Sequence, residues 1–590
     1  MNSRKLLCAW LGVGALVALL GAAPVVGNDD DPDRDRHHGR DRDDDRDHDR
    51  CARSRDLAIV NAKIATLDER NSVVSSVTIK NGRIAAVGHH GNHSRTPCTK
   101  VIDARGRLVI PGIVDNHNHF VLLGLRPGHD TRLDAAASIA DVQDIIRQRA
   151  KGLPPGAFIT AIGGWNTLQF KEGRLPTLAE LDEAAPHHPV YLQIAFLGPS
   201  ATNSRGKKFF EDRGITVTAS GGIAFFGTAS PPSGTLGALT ELRKVQTFDD
   251  KKRGTLDAAK YALSLGVTTH FDMGGFVIPG TPFTDNSFVF DGAASWDPFS
   301  AYEAVLALHR DGKLPVRLRV FYLSMDMGAE IPLLRQRILN AFREFGNDRM
   351  KAVGLGEFIT NWPLFGQVVP LNYDAAIRLA AERGWIYQQH TLSLFEDQLA
   401  TSKWELLNAQ VPIANLHWSL AHVPFIDQPT INRLKALGAG VALHGWRYLV
   451  GTPTQNGPPY RMIVDSGIRA GAGSDSAQIA PMNPWLITYY MVTGRNSAGQ
   501  LINPGQTLTR LEALRLYTAA NGWFSKEEHL LGSLEVGKYG DLVVLSGDYL
   551  NPQRVSDEGI KRLKSVLTVV AGRVVHDSGA LKTRGHDHDD

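Results

Sequence analysis

Residues 109–119, Val109-Ile110-Pro111-Gly112-Ile113-Val114-Asp115-Asn116-His117-Asn118-His119, place two histidines at the end of an apolar run. Side chains of a β-strand alternate between faces, so positions i and i+2 share one, and the imidazoles of His117 and His119 can reach a single ion. The run Leu108–Val114 sets the pair at the strand's C-terminal end, the face on which parallel α/β barrels carry their sites. A His-x-His pair by itself is weak evidence. The C-terminal tail carries another, His586 and His588, with no strand before it. Context has to separate the two.

At 590 residues the chain exceeds one small core and fits two or three structural units. Its 43% hydrophobic and 21% charged residues exclude a disordered or fibrous protein. The net charge of +3 is small, and no basic stripe interleaved with aromatics is present, so nucleic acid is not an expected partner. Arg4 and Lys5 precede an apolar run from Leu6 to Gly27, broken at Pro24, which reads as a signal peptide over 1–27. The expectation is export to a periplasm or the medium, with no stable membrane association once the signal is cut. An uncleaved anchor is the alternative, since about 20 apolar residues span a bilayer. Cleavage would remove Cys8 and leave Cys51 and Cys98, as a disulfide or as two free thiols.

From Asn28 to Arg50 the chain is almost all Asp, Arg and His, so 28–55 reads as a disordered linker. The tail 583–590 reads the same way. Between residues 56 and 110 come strand-like runs 57–60, 77–80 and 100–103, separated by turn signals at Asn81-Gly82 and Arg105-Gly106. The pattern returns at 541–545 and 566–572, within 530–582. β-runs at both ends of a long middle imply one small β-sandwich made from the N- and C-terminal segments. The middle, 111–529, alternates strand-like and helix-like stretches, such as the helical run Ala375–Arg383 before Trp385-Ile386-Tyr387. Alternation of this kind implies parallel strands with crossover helices, a (β/α)8 TIM barrel. The segment is longer than the roughly 250 residues of a plain barrel, and a Pro-, Gly- and Ser-rich insertion or lid at about 134–248 absorbs the surplus.

Four further residues end or adjoin short strand-like runs: Lys351, His390, His422 and Asp475. One strand-helix unit of such a barrel takes roughly 30–40 residues. Lys351 to His390 spans 39 residues and His390 to His422 spans 32, one unit each, while His422 to Asp475 spans 53, nearer two. This arithmetic assigns His119 to strand 1 and the four others to strands 4, 5, 6 and 8.

With these residues in place, the chain resembles the amidohydrolase superfamily, specifically its amidohydrolase family 3 branch. The resemblance rests on residues 111–119, Leu420-Ala421-His422 and Gly473-Ser474-Asp475. It is supported by Gly163-Gly164-Trp165, Thr202-Asn203-Ser204, Gly266-Val267-Thr268-Thr269 and residues 532–538, and it runs from about Leu57 to Val575. It implies an enzyme, a metal-dependent hydrolase of carbon–nitrogen bonds other than peptide bonds, with one or two divalent ions, usually Zn²⁺. By it, His117 and His119 bind one ion and His390 and His422 bind a second or orient the substrate. Asp475 joins the metal site, holding the metal-bound water and taking its proton, while the ion or His422 polarises the scissile carbonyl. Imidazole and carboxylate ligands suit zinc. Lys351 would bridge the ions only as a carbamate, because an ammonium cannot ligate. The acid and glycine that usually follow this lysine are replaced by Leu355-Gly356-Glu357, so Glu357 is the alternative bridge. In an extended strand the two positions lie about 20 Å apart, so both cannot serve one site. A one-metal centre is the third reading.

Other candidates bear on a small-molecule substrate. Trp165 lies in one of the quoted motifs. Thr268, His270 and Asp272 alternate along one strand face; Asp272 matches a family position, and His270 is either a substrate contact or a structural histidine. Arg447, in His444-Gly445-Trp446-Arg447-Tyr448, would hold a substrate carboxylate or make a salt bridge. Where the family often has a histidine before Asn-Ser, this chain has Phe196-Leu197-Gly198. His417 falls on the opposite face from His422 and is not an expected ligand. An ester or lactone hydrolase and a non-catalytic ligand-binding barrel stay open beside the leading reading, as does a homo-oligomer.

Overall fold

A computed structural model describes residues 51, 54–89, 96–195, 198–224, 234–274, 300–326, 330–340, 342–362, 371–476 and 479–581. The chain falls into two compact units, residues 1–53 and 54–590. The expected signal, most of the linker, Phe196-Leu197 and the tail lie outside the described residues. Among those described, no helix is long and apolar enough to cross a membrane. Cys98 is disulfide-bonded.

Eight parallel strands form the central sheet, numbered here in chain order: β1 (Ile113–Asn118), β2 (Val267–Asp272), β3 (Arg317–Tyr322), β4 (Met350–Glu357), β5 (Ile386–Thr391), β6 (Ser419–His422), β7 (Gly440–His444) and β8 (Arg469–Gly473). Each pairs with the next in sequence, as crossover helices require. The helix Leu371–Glu382 links β4 to β5 and covers the expected helical run.

Closure between β8 and β1 is made by glycines and one asparagine. A Cβ on Gly473 would come within 2.6 Å of the His117 nitrogen, so only glycine lets the two edges touch. The Asn521 amide donates to the carbonyls of Val114 (2.5 Å) and Ala472 (2.8 Å), one on each edge strand. Above it, the Ser474 amide donates to Asp115 Oδ1 (2.8 Å) and the Asp475 amide to the His117 carbonyl (2.8 Å). The first and last site residues are thus tied by backbone.

Two smaller sheets flank the barrel. One is a six-stranded sheet ordered 573–577, 565–570, 542–545, 108–111, 63–65 and 73–74, so both ends of the chain share it. A four-stranded sheet (83–88, 76–80, 57–60, 100–103) packs on it through Leu57, Ile59, Val77 and Ile79 against Val109, Leu542, Val544 and Val569. This is the sandwich built from both termini. The stretch read as a lid is an α/β unit with its own five-stranded sheet and core. Its first strand, His129–Asp130, starts five residues before the expected boundary, and the helix Phe248–Ser264 leads out of it into β2.

Candidate metal centre

His117 is the fifth residue of β1 and His119 caps the helix that follows, Phe120–Gly124. Each is held from behind at Nδ1. His117 Nδ1–H donates to the Gln388 side-chain oxygen on β5, and His119 Nδ1–H donates to the Gly274 carbonyl (2.8 Å). These bonds fix the orientation of each ring and turn its Nε2 towards the carboxylates, which is how ligating imidazoles are oriented. His117 Nε2 is buried without a hydrogen-bond partner. It lies 3.6 Å from Glu357 Oε2 and 3.7 Å from Asp475 Oδ1. His119 Nε2 lies 3.3 Å from Glu357 Oε1 and 3.6 Å from Asp475 Oδ1.

Glu357, the last residue of β4, faces both groups of histidines. Its Oε2 accepts from His422 Nε2 at 2.9 Å, and His390 joins them from the end of β5. His390 stacks on Phe358 (ring centroids 4.8 Å apart) with Nδ1 buried and unbonded. Two overlapping donor sets therefore share Glu357: His117, His119, Glu357 and Asp475, and Glu357, His390 and His422, with donor atoms within 4.8 Å of one another in each. A third set joins His117 and His422 to His444, whose Nδ1 is 2.8 Å from His422 Nδ1.

The backbone is bent to present these groups. His422 (φ 72°) and Asp475 (φ 54°) both occupy the left-handed region, a conformation non-glycine residues hold only where surroundings impose it.

Burial pushes His117 down to about 4 and His390 to about 3, so both imidazoles are neutral at pH 7, the form that ligates. His119 moves the other way: burial lowers it, but Asp475 and Glu357 outweigh burial and hold it well above its ordinary value. Burial likewise raises Glu357, and the histidines His390, His117, His119 and His422 overcome this and keep it well below the carboxylate range. Two carboxylates inside a low-dielectric cluster thus draw protons onto neighbouring imidazoles. A divalent cation among the same atoms would replace those protons, and the unbonded His117 Nε2 gives it a ready lone pair. Nitrogen and oxygen donors of this kind suit zinc and its first-row neighbours. The residues fit a divalent metal.

The structure corrects the sequence expectation at several points. Lys351 is the second residue of β4, at the opposite end from Glu357. Its ammonium is paired with Glu527 (2.8 Å), which also binds Arg319. Glu357 is the residue of β4 that lies among the histidines. Trp165 is 1% exposed in the core of the inserted unit, stacked on Phe170 with its indole N–H on the Ala161 carbonyl (3.4 Å), so its faces are not offered to a ligand. His270 lies behind β1, with Nδ1 2.8 Å from the Asn118 amide nitrogen, and burial pushes it to about 3, so it is a neutral core histidine. Asp272 accepts from the Val121 amide (3.0 Å) and the Tyr302 hydroxyl, which anchors the helix after His119. His417 stacks on Trp523 (4.5 Å), outside the cluster. Two members had gone unassigned. Gln388 precedes His390 by two residues and shares its strand parity; His444 ends the run Gly440–Leu443. Period-two alternation points to both.

Residues 100–576 match the family model described as the amidohydrolase family. The N-substituted formamide deformylase of Arthrobacter pascens is 26% identical over 88% of this chain and 98% of its own length. The putative amidohydrolase YtcJ of Bacillus subtilis is 24% identical over 87% and 98%. An uncharacterized metal-dependent hydrolase from Pyrococcus furiosus shares the fold, with a TM-score of 0.55 at 20% identity over 84% of this chain and 100% of that one. With the family model spanning residues 100–576, this chain belongs to the amidohydrolase family and is a hydrolase.

Proposed function

We propose that this enzyme is exported and uses Zn²⁺ to hydrolyse a non-peptide C–N bond in a small molecule: an amide, a cyclic amide or an N-acyl compound. The observation that carries the reading is the buried set His117, His119, Glu357 and Asp475, with the histidine Nε2 atoms turned towards the carboxylates. His117, His119 and Glu357 would hold one ion, and Glu357, His390 and His422 a second. A bound ion supplies Lewis acidity and brings the pKa of a water towards about 7. Asp475, 7% exposed at the end of β8, accepts the proton of the attacking water and delivers it to the leaving nitrogen. His422, linked to Glu357 and to His444, lies 3.6 Å from Asp475 and orients it. The deformylase relative supports an N-acyl substrate.

Loaded with zinc, the protein is expected to release amine from members of an amide, N-acyl and cyclic amide panel, to stop after chelation, and to recover on adding zinc back. Hydrolysis confined to esters and lactones would overturn the C–N assignment for this chain. Export rests on the charged and apolar run of residues 4–27. The mass of the mature protein is expected to correspond to a chain starting at Asn28; a full-length product would show an anchor instead.

A further inference from the structure

Arg447 is 7% exposed and makes no side-chain hydrogen bond or ion pair among the described residues. The arginines Arg126, Arg317 and Arg319, buried more deeply still, each face a carboxylate: Asp130, Asp541 and Glu527. The Arg447 Nε is buried without a partner, and a cation held partly out of water with nothing to pair it is unfavourable, so chains retain one chiefly where a ligand completes it.

Its position identifies that ligand's place. Arg447 follows His444 by three residues, so its Cα lies within about 11 Å of the Cα at the end of β7. Its guanidinium stacks 4.0 Å from the Trp446 ring and 5.5 Å from that of Phe425, which follows His422 by three residues. The loops leaving β6 and β7 therefore meet over the guanidinium, on the face where His422 and His444 stand. Burial pulls Arg447 below its ordinary value, with Tyr490 working against it. Stacking fixes the plane of the fork and leaves its edge for two parallel hydrogen bonds.

We propose that the substrate carries a carboxylate which Arg447 binds at the mouth of the site, making it an acidic N-acyl compound; this rests on the C–N hydrolase reading above. An apolar group beside that carboxylate would lie against Phe425, which is 38% exposed.

The test pairs N-acetylphenylalanine with N-acetylphenylalaninamide as substrates of the zinc-loaded protein. Beside turnover, equilibrium binding of 3-phenylpropanoate and 3-phenylpropanol is measured by calorimetry. The acid is expected to be favoured about 10- to 100-fold in each pair, the range of a charge-assisted hydrogen bond. Arg447→Met should reduce the preference to within about threefold, and Arg447→Lys should keep part of it, because a lysine is a point charge without the fork. The neutral partner is the control for folding, since structural damage weakens both compounds alike. Equal handling of acid and neutral compound by the wild-type protein, or a preference surviving in Arg447→Met, would overturn the proposal. Hydrolysis of amides without acid preference sinks this inference alone. Preferential binding of 3-phenylpropanoate without any amide hydrolysis sinks the C–N reading and leaves the anion site.

Discussion

Glu357→Gln is expected to strip the protein of firmly held metal and to lower hydrolysis by at least about 10²–10³-fold. The carboxylate is the one group common to both donor sets that face the substrate side, and one of its oxygens faces His119 while the other accepts from His422. An amide keeps the volume but offers a neutral oxygen and an N–H, and the N–H cannot ligate. Metal content by atomic spectroscopy separates this from a folding defect, with circular dichroism as the control. Lys351→Met supplies the contrast. Glu527 would keep Arg319, so the loss is about 1–3 kcal/mol of stability, with metal content unchanged. Metal lost from Lys351→Met and kept by Glu357→Gln would reverse the assignment.

Asp475→Asn is expected to keep its metal and lose about 10²–10⁴-fold in kcat, the usual contribution of a positioned general base. His117, His119 and Glu357 remain as donors, so the ion is not released. The substitution is mild for the backbone, because asparagine is among the few residues that accept the left-handed φ of 54° found here. The amide–carbonyl bond from residue 475 to His117, which closes the barrel, is untouched. Activity surviving unchanged in a metal-replete Asp475→Asn protein would remove the carboxylate from the reaction.

Much of this centre could be read in the chain before it was folded. Spacing in units of one strand and one helix placed His119, His390, His422 and Asp475 on strands 1, 5, 6 and 8, because each crossover must span the same barrel wall. Strand polarity separated His117 and His119 from His586 and His588. The β-runs at both termini announced a shared sandwich, since a strand such as Leu108–Pro111 needs partners on both sides that local sequence does not supply. Trp165 was misjudged because a large aromatic beside two glycines looks the same whether it faces a ligand or a core. Arg447 is the opposite case: the sequence permitted a salt bridge or a bound carboxylate, and that no carboxylate pairs with it among the described residues is visible only after folding.

What the sequence determined by itself was the order of the strands, the donor chemistry and the face of the barrel that carries it. These follow from local period and chain length. Tertiary structure alone decided which residue of β4 reaches that face. Lys351 and Glu357 are six residues apart on the same strand, each a credible bridge by residue type. Only the registration of β4 against β3 and β5, set by packing along the whole barrel, lifts Glu357 level with the histidines. The same registration leaves Lys351 below, neutralised by an acid 176 positions later in the chain.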